Sequence, residues 1–176
     1  MKGLRLGKKK AIDTEVDPYM SDVKPDEAAA CVKCGAIYHK KRWTLPEDAA
    51  KAVLARASTR VSANVTCPGC LKVRDKFAEG FVTIQGSFQK AHKDEIIRLL
   101  RNKESLVRHT NPLARIIEIK RSGKTIEVTT TTENLAQRLG QMLHKTFAGE
   151  CEYKWSSDVK LARVVWTRNE HASGGK

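Results

Sequence analysis

Two Cys-x-x-Cys pairs, Cys31–Cys34 and Cys67–Cys70, separated by 32 residues, constrain this chain more than any other feature. Each pair presents two soft ligands from one tight loop, and two such loops complete the tetrahedron that zinc favours. Gly35 follows the first pair and Pro68-Gly69 fills the second, so both loops can turn backbone amides toward the thiolates. Four cysteines close the coordination sphere and leave no position for a substrate water. That points to one structural Zn2+ at Cys31, Cys34, Cys67 and Cys70. Unpaired core cysteines are the bland alternative, but they have no need of paired spacing. A thioredoxin-like redox pair opens a helix, and neither pair here is followed by a helical pattern. His39, five residues after Cys34, is a spare ligand that a complete quartet does not need. The fifth cysteine, Cys151, starts a strand and reads as a core residue.

The metal reading depends on reduced thiols, so compartment matters. No apolar run approaches the roughly 18 residues of a membrane span. The basic segment Met1–Lys10 has no apolar stretch after it, unlike a secretory signal. The cytoplasm is therefore the expected location, where paired cysteines mean metal more often than disulfide. The net charge is +13, and it is unevenly spread. Residues 1–30 carry six basic and six acidic side chains, whereas residues 31–80 carry ten against four and residues 81–170 sixteen against ten. The excess sits on the segments that read as folded, as in proteins that meet nucleic acid.

Hydrophobic residues form 40% of the 176, enough for a packed core. Residues 1–27 show no sustained period and read as a flexible tail, as do residues 169–176. Residues 28–79 read as a zinc ribbon with a helical insert, capped at Thr44-Leu45-Pro46-Glu47 and followed by a strand over Arg60–Thr66. Residues 80–168 read as strand, helix, strand, strand, helix, strand, plus one further strand. Phe81–Gln85 is the first strand. Phe88 to about Val107 is a helix with His92, Ile96, Leu99, Leu100 and Leu106 near one face, broken at Asn111-Pro112. Leu113–Arg121 and Lys124–Thr130 flank a Ser122-Gly123 turn; Ile117 and Ile119 share one face of the former. Thr130-x-x-Glu133 reads as a capping box for a helix striped by Leu135, Leu139, Met142, Leu143 and Phe147. Glu150–Trp155 and Lys160–Arg168 form a closing hairpin. The expected fold class is α+β: a four-cysteine ribbon, then a ferredoxin-like β-α-β-β-α-β domain with an extra C-terminal strand.

Tyr38, Lys40, Lys41, Arg42 and Trp43 place two aromatics around three fixed charges just after the first cysteine pair. That composition suits phosphate contacts beside base stacking; equally, Tyr38 and Trp43 pack the ribbon while the lysines stay solvated. Lys72, Arg74 and Lys76, on one side of the chain if it is extended, would prolong the same positive face. Ser122-Gly123-Lys124-Thr125 is no phosphate loop, because Glu118 stands where its first glycine belongs and a strand follows, so no nucleotide cofactor is expected. The strands at 113–121 and 124–130 hold no aromatic, which argues against stacking of single-stranded bases on the sheet.

Cys31-Val32-Lys33-Cys34-Gly35 with Cys67-Pro68-Gly69-Cys70 resembles the N-terminal zinc-binding part of the large-ribosomal-subunit export adaptor family of archaea and eukaryotes. Thr129–Phe147 (TTTTENLAQRLGQMLHKTF) and Val159–Arg168 (VKLARVVWTR) look similar to the α/β segment that follows it. The chain would then be a small, bacterial-type protein of this shape. The resemblance implies a zinc-dependent module that binds ribosomal RNA or a ribosomal subunit. That family carries more cysteines, enough for two metal centres, and further domains; this chain has one quartet, so nuclear export is not implied. A non-enzymatic, zinc-binding RNA or ribosome contact is the leading expectation. An adaptor for an acidic protein partner is the alternative, and a DNA-binding regulator ranks below it because no helix-turn-helix pattern is present.

Overall fold

The computed structural model describes residues 19, 23, 28–45, 61–156 and 161–170. The expected helix after Thr44-Leu45-Pro46-Glu47 and most of both terminal segments lie outside the described residues. Within those segments, Val23 packs on the ribbon core, Tyr19 meets Phe77 at 4.9 Å between ring centroids, and Ser87 hydrogen-bonds to Asn169 and Glu170. These four positions expected in tails are therefore tied to the folded part.

The ribbon is a four-stranded sheet of β1 (Ala28–Cys31), β2 (Ile37–His39), β3 (Arg42–Thr44) and β4 (Val61–Val65), in the order β3-β2-β1-β4. Its β4 runs parallel to β1, and the other pairs are antiparallel. The turn between β2 and β3 holds only Lys40 and Lys41, both with positive φ of 47° and 64°. That is the backbone of a two-residue hairpin turn, whose twist matches the strands. Helix α1 (Pro68–Asp75) leads from the ribbon to the second sheet.

The second unit runs β5 (Gly80–Gln85), α2 (Phe88–Ala91), α3 (Lys93–Thr110), β6 (Ile116–Ser122), β7 (Thr125–Thr130), α4 (Glu133–Phe147), β8 (Glu150–Ser156) and β9 (Leu161–Thr167). The elements match the expected order, but the sheet does not match a ferredoxin-like one. Its order is β6-β7-β5-β9-β8, and β9 pairs parallel with β5. The extra strand therefore enters the sheet between β5 and β8 instead of extending its edge. Composition explains the exchange. Leu161–Thr167 buries Ala162, Val164 and Trp166 and takes the interior, while β8, with Glu150, Glu152 and Lys154, is left at the edge.

One face of this sheet makes the core. Val82 lies opposite Val128 and Val164, and Ile84 opposite Ile126 and Trp166. Leu135, Leu139 and Leu143 of α4 and Ile96 and Leu100 of α3 cover that row, all fully buried. The indole N–H of Trp166 donates to the Ala148 carbonyl at 2.8 Å, satisfying the one polar group of the largest core side chain. Three local readings need correction. Leu106 is 63% exposed and Val107 takes the core position, while His92 caps the junction of α2 and α3. A bulge between Ile116 and Glu118 puts Ile116 and Ile119 on the core face and leaves Ile117 out of the alternation. The N-cap of α4 is Thr132, whose hydroxyl accepts from the Leu135 amide, because Thr130 is the last residue of β7 and donates to the Thr132 carbonyl. Among the described residues no helix is long and apolar enough to cross a membrane.

Leu139→Ala is expected to lower the unfolding free energy by about 2–5 kcal/mol in urea titration, because it leaves a cavity under the sheet. The neighbouring exposed control, Leu106→Ala, is expected to stay within about 0.5 kcal/mol.

Candidate metal centre

The quartet is assembled by backbone geometry that starts at Cys31, the last residue of β1. The Gly35 amide donates to the Cys31 carbonyl and the Cys31 amide to the Ala36 carbonyl, both at 2.8 Å, closing a knuckle. Gly35 holds φ at 72°, which a side chain would oppose. The Val32 amide donates to Val65 at 3.0 Å, and this bond draws the end of β4, and with it Cys67, to the first pair. Cys67 is the N-cap of α1 and Cys70 lies in its first turn. The second pair therefore does open a helix, contrary to the sequence reading. Pro68 sits at the first helical position, where its missing N–H costs nothing, so Pro-Gly here starts a helix instead of closing a turn.

All four sulfurs lie within 4.8 Å of one another, with Cys31 and Cys70 at 3.9 Å and Cys34 and Cys67 at 3.7 Å. A disulfide needs about 2.05 Å between sulfurs. A tetrahedral ion with metal–sulfur bonds of about 2.3 Å spaces its sulfurs about 3.8 Å apart. The observed spacing fits the second case, so these four thiols are placed to hold a metal ion. His39, on β2, is not part of the cluster, and Cys151 packs against the core of the second unit.

The metal-free thiols are strongly unequal. The Cys67 thiol, hydrogen-bonded to the Cys34 sulfur, holds Cys34 down at about 4, with help from the Ala36 amide and from the charge of Arg115 and against the effect of burial. Cys67 is driven upward, first by holding that shared proton and then by burial. Burial pushes Cys70 up to about 11, against the field of Arg115. The Cys67 amide donates to the Cys31 sulfur at 3.2 Å. Such a cluster ionises as a unit only when a cation takes the place of its protons. The N-terminus of α1 adds a favourable dipole for the anionic sulfurs.

The second unit reaches this site. Leu113 packs against the cysteine cluster. A Cβ on Gly69 would stand 2.8 Å from the Leu113 Cα and carbonyl oxygen, so glycine is what lets α1 seat against that backbone. Lys72 and Glu79, largely buried, form an ion pair at the exit of α1. Nothing in the local sequence of residues 113–115 marks them as neighbours of cysteines more than 40 positions earlier.

The residues expected to touch RNA divide sharply. Lys40, Lys41 and Arg42 are exposed at the β2–β3 hairpin. Tyr38 and Trp43 face each other across it, with ring centroids 5.3 Å apart, and are 8% and 9% exposed. They pack the ribbon, so their faces are closed to bases. Lys72, Arg74 and Lys76 do not form one side, because α1 turns residues two apart by about 200°. Lys72 lies over the rings of Tyr19 and Phe77, Arg74 pairs with Asp75, and Lys76 caps the helix with φ at 53°. The aromatic that sequence reasoning overlooked is Phe81, on the face of central strand β5 opposite the core, with Arg163 5.6 Å from its ring centroid. Its alternation with buried Val82 and Ile84 was the available signal.

Comparison of this chain with known protein families, with curated proteins and with solved structures finds no match.

Cys67→Ser is expected to abolish stoichiometric zinc uptake, measured by inductively coupled plasma mass spectrometry after dialysis, while Cys151→Ser retains it. Equal zinc in the two variants would remove the site.

Proposed function

We propose that this chain is a non-enzymatic zinc protein whose ribbon presents a basic hairpin to RNA, with the ribosome as the RNA-bearing partner. The observation that carries this reading is the hairpin tip. Lys40, Lys41 and Arg42 are exposed, and no carboxylate pairs with them among the described residues. Lys40 and Lys41 also occupy the left-handed region, where Asn-Gly is the favoured pair and a lysine is strained. Strain held at an exposed, unpaired, charged position supports a functional role over a structural one. The buried Tyr38–Trp43 pair and the metal centre keep the tip in place, so the contact is to phosphates and carries little base specificity.

Zinc is the ion that best suits four thiolates at this spacing, and a closed quartet offers no site for hydrolytic or redox turnover. The net charge of +13 and the resemblance to the ribosomal export adaptor family point the same way. A second reading, an adaptor for another protein, draws on the face of the second sheet opposite its helices, which no described element covers. There a shallow cavity is lined by Phe81, Thr83 and Val165 with Lys120, Lys154, Glu118 and Glu127 around them. Its mixed charges suit protein better than RNA.

Lys40→Asn/Lys41→Gly keeps a favourable hairpin turn and removes two charges. In co-sedimentation with ribosomes at rising salt, it is expected to bind more weakly and to reduce the slope of log affinity against log salt by about 1.4–1.8. Its melting temperature is expected to equal or exceed that of the parent. An unchanged slope would reject the hairpin as the contact, and a pull-down indifferent to nuclease would favour the protein partner.

A further inference from the structure

The second sheet ends in two edges of different character, β6 and β8. The β6 edge is blunted: a bulge falls between Ile116 and Glu118, and Glu118 is paired with Lys120 at 3.2 Å. The β8 edge has no bulge. All seven of its residues stand in unbroken register with β9, and among the described residues no strand pairs with its other side. A regular strand in that position offers a row of unpaired backbone donors and acceptors to another strand.

The side chains of β8 decide which strand fits. On the face opposite the helices it carries Glu150, Glu152 and Lys154, all exposed and none ion-paired among the described residues. Lys154 lies opposite Arg163 of β9. Like charges so placed destabilise a sheet, and an acidic neighbour on the edge side would offset them. On the helix face, Cys151 and Tyr153 pack on the core. Trp155, stacked on Tyr153 with ring centroids 6.0 Å apart, is left 63% exposed. Tyrosine and tryptophan are the residues in which interface cores are enriched.

A second copy of β8, running antiparallel, meets these requirements in one register. Two-fold symmetry centres such a pair on a single residue, and Tyr153 is the midpoint of Glu150–Ser156. Centred there, the strands overlap along their full length. Glu152 faces the second copy's Lys154 twice over, Glu150 faces Ser156, Trp155 faces Cys151, and Tyr153 meets its own counterpart. Moving the centre to Glu152 or to Lys154 sets a like-charged pair on the axis and shortens the overlap.

We propose that β8 is a homodimer interface: two copies pair their β8 edges antiparallel about Tyr153 and join their five-stranded sheets, with Glu152 against Lys154 on one face and Trp155 covered by the second copy on the other. Neither the metal nor RNA enters this contact.

Sedimentation velocity of the nuclease-treated full chain across the micromolar range is expected to show a monomer–dimer equilibrium. Glu152→Lys and Lys154→Glu each turn two opposite-charge contacts into like-charge ones. Each is expected to raise the dimer dissociation constant by about 10-fold or more. Lys154→Glu also removes the like charge facing Arg163, so the melting temperature of its monomer is expected to equal or exceed the parent's. Combining both substitutions in one chain, or mixing the two single variants in equal amounts, restores opposite charges and is expected to restore the dimer. A parent that stays monomeric overturns the proposal. So do single variants that dimerise like the parent, which would place the contact on another surface, and so does failure of both the double variant and the mixture to recover association.

Discussion

Four sulfurs gathered within 4.8 Å are the constraint on which the ribbon depends. As thiolates they repel, as thiols they compete for too few acceptors, and a divalent cation resolves both problems at once. Among the described residues, little else holds this part of the chain together. Its strands have four, three, three and five residues, and its buried cluster beyond the cysteines is Ala29, Ala36, Tyr38 and Trp43. A core that small does not offset the entropy of ordering the segment, and units of this size rely on metals or disulfides.

The second unit has no such need. Three leucines of α4, three apolar residues of α3 and paired rows from β5, β7 and β9 make a continuous core. The two units nevertheless share a boundary in which α1 is the common part. Cys67 and Cys70 anchor its start, Gly69 lets it approach Leu113, and Lys72 ties its last turns to Glu79 ahead of β5. A metal held by the quartet would therefore order more than a ribbon. It would fix the base on which the β2–β3 hairpin stands and the face against which the second unit rests.

Much of this was legible where the signal is local. The cysteine spacing named the four residues that the fold gathers into one cluster, Ser122-Gly123 named a hairpin, and the 135–139–143 stripe named a core helix. What failed depended on distant partners or on a single inserted residue. The bulge at Ile117 reverses the alternation of β6 without any local mark. Pro68-Gly69 has the composition of a turn but starts a helix, because Cys67 is drawn to the first knuckle and frees the next residues to wind. The place of β9 is set by competition between two hairpin partners for the sheet interior, a comparison of strands and not a property of either. Tyr38 and Trp43 read equally well as stacking or packing residues, and only burial separates the two. Leu113 could not be found from sequence, since its packing against the cysteines exists only through the fold.

The most direct test of the account is the zinc K-edge X-ray absorption spectrum of the zinc-loaded chain. Four sulfur neighbours at about 2.3 Å, with no oxygen or nitrogen in the first shell, are the predicted result. A mixed shell, or fewer than four sulfurs, would contradict the closed quartet and with it the structural role assigned to the metal.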